Sequence, residues 1–533
     1  MRKHGAFVVA LFLFFQVIPA ALAHEERSVE FPDGTAKRPK YRTTGPRLLV
    51  CKRNSDEVIR KKVRRGALRD KNLRLYERCM ADGFRHLQAA VDAVKRQGTR
   101  ILILPGVYRE EPSRRGLSAQ CKALDDDESR PLSYEQQLEC PNVDNLVAIL
   151  GDRGDPDRKC DQERLCRLQI EGTGDDPLDV LFDGNWKKLN VIRADRMREV
   201  YFRNFAAQRA DFNALYVLES DGFVIDRMLG RWNHEYAFLT FASDHGLYHR
   251  CEGYGNGDSA VYPGAAAPHF GSRPSIEIRY CNSHHNALGY SGTAGDSTYV
   301  HHNKFHHNGT GVVMDSLYPD HPGLPQNSAT FVNNEIYSNN TDYFKYYRDG
   351  TCAKPIEERG YEKGVVCPAI PAPVGVGLLL AGGNYNIYAR NHIYDNWRWG
   401  GTQFWVPSPL RNEEDPRKVF DTANYNRWIG NHMGYDRKGN VKPNGVDFWW
   451  DEGGEGNCWL DNKGPDGQEA TYDFGLWGPP YQAPPDCNPE PPTWRPANPQ
   501  KMAYIAPCAL WSRENYDPPG CPWLTQPPKP GDS

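Results

Sequence analysis

Net charge is nearly absent from this chain. Its 65 lysines and arginines stand against 68 aspartates and glutamates, a net charge of −3. That balance removes the electrostatic case for nucleic acid as a partner of the whole molecule. The one locally basic stretch, residues 52–74 with Lys61, Lys62, Arg64 and Arg65, reads as a solvated segment. Beyond residue 23 no apolar run is long enough to span a bilayer. No two cysteines stand in CxxC spacing and no HExxH pair occurs, which argues against a zinc ribbon and a helical zinc site.

What is present begins with Arg2 and Lys3, an apolar run from Ala6 to Ala21, and the small residues of "ALA" (21–23) before His24. This pattern predicts a secretory signal peptide over 1–23, with an uncleaved anchor as the alternative, and hence a soluble, extracellular or cell-surface monomer. The ~510 residues that remain are enough for a large core. Fourteen cysteines, an even number in an exported chain, predict disulfides. Taken in order they form seven local pairs: 51/79, 121/140, 160/166, 251/281, 352/367, 458/487 and 508/521.

Internal repeats dominate the middle of the chain. "RMLGRWN" (227–233), "RCEGYGN" (250–256), "YCNSHHN" (280–286), "HNKFHHN" (302–308), "NNEIYSN" (333–339) and "RNHIYDN" (390–396) align on a terminal Asn. A second column five residues earlier holds Met228, Cys251, Cys281, Asn303, Asn334 and Asn391. The shortest intervals are 22 and 23 residues, and longer ones carry inserted loops. A short apolar run follows each Asn, as in "YAFLTF" (236–241) and "VGLLLA" (376–381), and another comes about ten residues on. Helical spacing is absent here, so short strands stacked in a solenoid are expected. Asn tolerates the left-handed conformation, and its amide can bond the next coil about 4.8 Å away.

This period, with two or three strands per turn, resembles the right-handed parallel β-helix of the pectin-lyase-like superfamily. "FRHLQAAVDAVKRQGTRILILPGVYREE" (84–111) resembles the opening of that superfamily, a helix covering the open end before the first strand. Such a cap hides unpaired backbone and apolar core. The expected fold is therefore all-β: a right-handed parallel β-helix over 84–463 with an N-terminal capping helix. Insertions are expected near 112–167, where the acids Asp125 to Glu128 lie, and near 341–373. Residues 24–83 read as a wrapping segment, and 464–533 as a Pro-, Trp- and Cys-rich irregular tail.

The repeat places His284 in column with His306, Tyr254, Tyr337 and Tyr394, and His285 in column with His307. Three readings stand side by side: aromatic packing at a turn, acid–base catalysis, and a transition-metal site. Strand alternation points Tyr262, Gly289, Ser291, Val313, Asp315, Leu379 and Phe404 outward from the first sheet, a mixture of rings and polar groups suited to sugars. The superfamily resemblance implies a groove along that sheet, bordered by turns like those of the histidines, and a polysaccharide partner. A uronate lyase would need a base, for which His285, His307 and Tyr262 are candidates, and a cation such as calcium held by Asp258 or Asp315. A hydrolase would need paired carboxylates, and Asp258 and Asp315 are the nearest pair. His284, His306, Phe404, Trp449 and Trp450 are candidates for sugar contact, and Asp447 and Asp451 for a cation or sugar. A lyase is slightly favoured over a hydrolase, and a non-catalytic polysaccharide binder is the alternative. Uronan epimerases of the superfamily carry Asp-Pro-His-acid. Here Pro319-Asp320-His321-Pro322 has the residue types in another order, so that activity is not transferred. Neither the arginine signature of classical pectate lyases nor the compact acidic motif of polygalacturonases is found.

Overall fold

Asparagine side chains set the frame of this molecule. In the computed structural model, which describes residues 29–110, 118–126, 132–151, 160, 163–319, 321–473, 484–487 and 493–532, the terminal Asn of each repeat lies buried and bonded to the next. Asn233 Nδ2 donates to Asn256 Oδ1 at 2.8 Å, Asn256 to Asn286 at 2.7 Å, and Asn286 to Asn308 at 3.2 Å. Asn308 continues to Asn339, and Asn339 to Asn396, both at 3.0 Å. Each Oδ1 also accepts the backbone N–H of the preceding Asn, so every coil is tied to the next through buried amides. The second column makes a parallel ladder from Asn303 through Asn334, Asn391 and Asn431 to Asn462.

The left-handed residue at these turns is the one before the Asn, not the Asn itself. Gly255, His285, His307, Ser338 and Asp395 have φ of 69°, 55°, 54°, 55° and 54°. The turn bends at that residue, and the Asn that follows is free to aim its amide along the helix axis.

The strands between turns form three parallel sheets. The first has ten strands, from Asn145–Leu150 to Val446–Trp450. The second has twelve, from Arg47–Val50 to Cys458–Leu460, and the third ten, from Gly106–Tyr108 to His432–Met433. The chain is a right-handed parallel β-helix. Its interior is one continuous apolar column that includes Phe202, Phe238, Tyr290, Phe331, Tyr388 and Trp428.

In the first-sheet strands two consecutive inward residues follow an outward first one, Tyr236 for example. Ala237 and Phe238, and Ala260 and Val261, lie in the core. In later coils the first of the two is glycine, and Gly289 therefore points inward, not out as alternation alone predicts. A Cβ on Gly289 would stand 2.4 Å from Gly311 O and 2.9 Å from Asn308 Nδ2. A Cβ on Gly311 would stand 2.4 Å from Gly377 O and 2.7 Å from Asn339 Nδ2. Gly311→Ala should therefore cost about 3 kcal/mol by overpacking. Ala237→Gly, in the same column, should cost only about 1 kcal/mol. Urea unfolding of both variants checks this, and equal midpoints would overturn it.

The ends are closed in different ways. Helix Leu87–Asp92 buries Leu87, Ala90 and Val91 on the core. Its Gln88 amide donates to Ala148 O (3.1 Å) and accepts from Ala148 N (2.8 Å), replacing a missing neighbour at the edge of strand Asn145–Leu150. That strand falls inside the stretch expected to be an insertion, whose helices Ala119–Asp126, Tyr134–Glu139 and Pro141–Asp144 precede it. Residues 29–83 run along the second sheet and supply its edge strand Arg47–Val50 and helices Ser55–Lys62 and Gly66–Asp82. At the far end Phe448 N donates to Thr471 O, and Trp459 N to Pro485 O, each at about 3 Å. All fourteen cysteines are bonded, each to its neighbour in sequence order. The expected signal peptide over 1–23 lies outside the described residues. No described helix is long and apolar enough to cross a membrane.

Candidate active site

The outward side chains of the first sheet do not face open solvent. The tail returns across them: Asn498 N donates to Asp451 O, helix Pro499–Ile505 follows, and Arg513 reaches Glu235 at 2.9 Å. The 341–373 segment closes the other flank, with Val374 N bonded to Trp523 O. Between floor and roof lies a partly open cavity of about 430 Å³. Tyr236, Tyr262, Ser291, Val313, Asp315, Leu379 and Phe404 form its floor. Ile370, Met502, Ile505, Trp511 and Trp523 are among its roof residues.

The cavity is polar at one end and apolar at the other. Glu235 and Asp258 occupy one register position on adjacent coils, and Asp258 N donates to Glu235 O at 2.9 Å. Asp258 Oδ2 accepts from Tyr236 Oη (3.2 Å), while its buried Oδ1 has no hydrogen-bond partner. Burial, with Glu235 alongside, holds the Asp258 carboxyl well above the usual carboxylate range. Asp315 accepts from Thr293 Oγ1 (2.8 Å) and from Leu317 N (3.1 Å), and burial pushes it up to about 6. Tyr262 Oη lies 3.3 Å from His321 Nε2, and the rings of Tyr236 and Tyr262 pack at 4.9 Å. Burial and then the charges of Asp315, Asp258 and Glu235 raise the Tyr318 phenol, which lines the cavity with all three. Such a group supports proton transfer: burial raises two carboxyls above their ordinary range, and neutral phenols supply donors.

The candidates named from the sequence thus divide. Asp258, Tyr262, Asp315 and Phe404 come together in the cavity. His284, His285, His306 and His307 do not. They lie on the outer face of the third sheet and its following turn, in an unbroken stack Tyr254–His284–His306–Tyr337–Tyr394 with interplanar angles of 14°, 16°, 5° and 5°. Burial lowers His285 and His307, and brings His306 down to about 3. Trp450 points into the core against Trp459. Trp449 points outward but is covered, stacked on Trp399 at 5.0 Å beneath the tail. Asp447 accepts from Asn444 Nδ2 and from Thr471 N and Oγ1. Asp451 accepts from Trp405 N and Gly453 N. Each oxygen of these two carboxylates is engaged in closing the last coil. Among the described residues one group, Asp221, Asp244 and His245, has three metal-type side chains close together. There Arg273 and His269 bond Asp244, and Ala36 N bonds Asp221.

Glu235, Tyr318 and Arg513 were not singled out from the sequence, and His321 was noted only within a motif whose order carried no activity. Glu235 precedes Tyr236 as Asp258 precedes Ser259, so the repeat carried that signal. Tyr318 and His321 sit in a loop outside the repeat, and Arg513 arrives from a tail without period.

No protein-family model and no curated protein sequence matches the chain. Solved structures do. Pectate lyase Pel9A is similar at 13% identity over 74% of each chain, with a TM-score of 0.31. The A-module of the Azotobacter vinelandii mannuronan C-5 epimerase AlgE6 is similar at 13% identity, over 74% of this chain and 94% of that one (TM-score 0.30). The tailspike of E. coli bacteriophage HK620, in complex with a pentasaccharide, is similar at 10% identity, over 72% of this chain and 54% of that one (TM-score 0.33).

Proposed function

We propose that this is an extracellular polysaccharide-acting β-helix protein whose groove hydrolyses a sugar chain, with Asp258 as general acid and Asp315 as general base. The observation that carries this reading is the presence of Glu235, Asp258 and Asp315 in one cavity with Tyr318, where burial raises the Asp258 carboxyl and pushes Asp315 up to about 6. Asp258 Oδ1, buried and without a partner, is free to give its proton to a glycosidic oxygen. Asp258 and Asp315 both line the cavity, two coils apart, one just ahead of its strand and the other at the end of its own. An acid and a base that act through a water between them give inversion at the anomeric carbon, unlike the nucleophile of retention. Phe404 and Leu379 at the apolar end offer faces for sugar rings.

Uronate β-elimination is the second reading, and the contact of Tyr262 with His321 favours it as a base pair. One experiment separates the two. The full chain is incubated with panels of neutral and acidic polysaccharides, with calcium or chelator. Reducing ends and ultraviolet absorbance are followed together. Hydrolysis predicts new reducing ends without absorbance, and an inverted anomer in the first product by NMR. Absorbance lost in Tyr262→Phe or His321→Ala would replace hydrolysis by elimination, and a retained anomer would move the second role to Glu235. Retention on a polysaccharide column with neither signal would make the chain a binder.

A further inference from the structure

The third sheet and its neighbour carry three His-His steps that the groove does not use. In each, the second histidine is exposed and left-handed: His285, His302 and His307 have φ of 55°, 56° and 54°. That conformation folds the second imidazole back on the first, so the rings stand at 86°, 84° and 85°. The two Nδ1 atoms then face each other at 2.8 Å (His284/His285), 2.9 Å (His301/His302) and 2.7 Å (His306/His307). The far nitrogen of the first histidine has its own acceptor each time. His284 Nε2 meets Glu252 Oε1 at 3.1 Å, His301 Nε2 meets Glu277 Oε1 at 3.0 Å, and His306 Nε2 meets Asn282 Oδ1 at 2.9 Å. A proton held on Nε2 leaves Nδ1 of the first ring to accept from Nδ1–H of the second, and a metal would move that proton to the second ring's Nε2. The acceptor at the first ring's Nε2 is the outer support that metal-binding histidines require.

We propose that each His-His step is a two-imidazole chelate for a cupric- or nickel-type divalent ion, bound through both Nδ1 atoms. With metal–nitrogen bonds of about 2.0 Å, nitrogens 2.8 Å apart subtend close to 90° at the metal. That is the cis angle of a tetragonal ion, and it is too narrow for tetrahedral zinc. The remaining positions are open to water, since His285, His302 and His307 face solvent. The steps at 284–285 and 306–307 lie on successive coils, with ring stacks of 5.2 and 5.5 Å, so two ions would sit about 5 Å apart. The 301–302 step would hold an isolated ion.

The test is titration of the chelator-stripped full chain with cupric chloride, followed by calorimetry and electron paramagnetic resonance. Three equivalents are expected, each with two-nitrogen coupling, and zinc should bind about tenfold more weakly. Two of the three signals should show mutual dipolar broadening. His285→Ala and His307→Ala should each remove one equivalent and abolish the broadening, while His302→Ala should remove one and leave it. All three side chains are exposed, so unchanged circular dichroism is expected, and Lys304→Ala serves as an exposed control that should lose nothing. Full binding by the triple histidine variant would overturn the proposal, and so would the absence of copper binding by the unaltered chain.

Discussion

Asp315→Asn should stop turnover and, in the same molecule, raise the unfolding midpoint at neutral pH. The first effect follows from the loss of the general base, worth about 10²- to 10⁴-fold in rate. The second follows from burial. Asp315 is 1% exposed, and its pKa is lifted from 3.8 to about 6. A carboxyl whose folded pKa exceeds its unfolded one favours folding in its protonated form. That contribution is complete below pH 3.8 and is lost as pH rises through about 6. At pH 7 the charged group therefore costs up to about 3 kcal/mol, which an asparagine does not incur. Asparagine also keeps the local bonds, because its oxygen can accept from Leu317 N and its amide can donate to Thr293 Oγ1. The activity of the unaltered chain should rise with pH through about 6, as Asp315 loses its proton. Thermal melts at pH 4 and pH 7 beside a rate profile test all of this. A variant that is both inactive and less stable at pH 7 would show that Asp315 serves the fold alone.

The largest structural effect is expected from Asn308→Ala. Asn308 Oδ1 accepts from Asn286 N (2.9 Å) and Asn286 Nδ2 (3.2 Å), and its amide donates to Asn339 Oδ1 and Ser283 O. Alanine leaves the buried Asn286 N–H unmet, while the Asn339 oxygen keeps only the backbone N–H of residue 308 and Ser283 O loses its amide donor. At about 1–3 kcal/mol for the unmet buried N–H and about 1 kcal/mol for each further ladder bond lost, the loss should be near 4 kcal/mol. His307→Ala, one residue earlier, keeps the ladder and should cost less than about 1 kcal/mol. Denaturant midpoints of the two variants give the comparison, and a difference under about 1 kcal/mol would refute the ladder as a main source of coil-to-coil stability.

The histidines show how far pattern alone carries. Their column was legible, since His284, His306 and three tyrosines recur at the repeat interval and do stack. Their distance from Asp258 and Asp315 was not. Which wall of a three-sided coil becomes a groove depends on what covers each wall. Trp449 and Phe404 make the same point: both face outward, yet the tail seals one and leaves the other on the cavity.

The coil period, the two asparagine columns, the order of the disulfides and the outward set Tyr262, Asp315 and Phe404 were determined by the sequence by itself. These are local and repeated: each residue's role depends on neighbours one coil away, and the same residue types recur at each coil. The groove was decided only in three dimensions. Arg513 meets Glu235 across 278 residues, Tyr318 and His321 enter from a loop with no counterpart in other coils, and burial raises the Asp258 carboxyl. Contacts of that kind carry no period along the chain, and the chemistry of a buried carboxyl is set by the surroundings that the folded chain assembles around it.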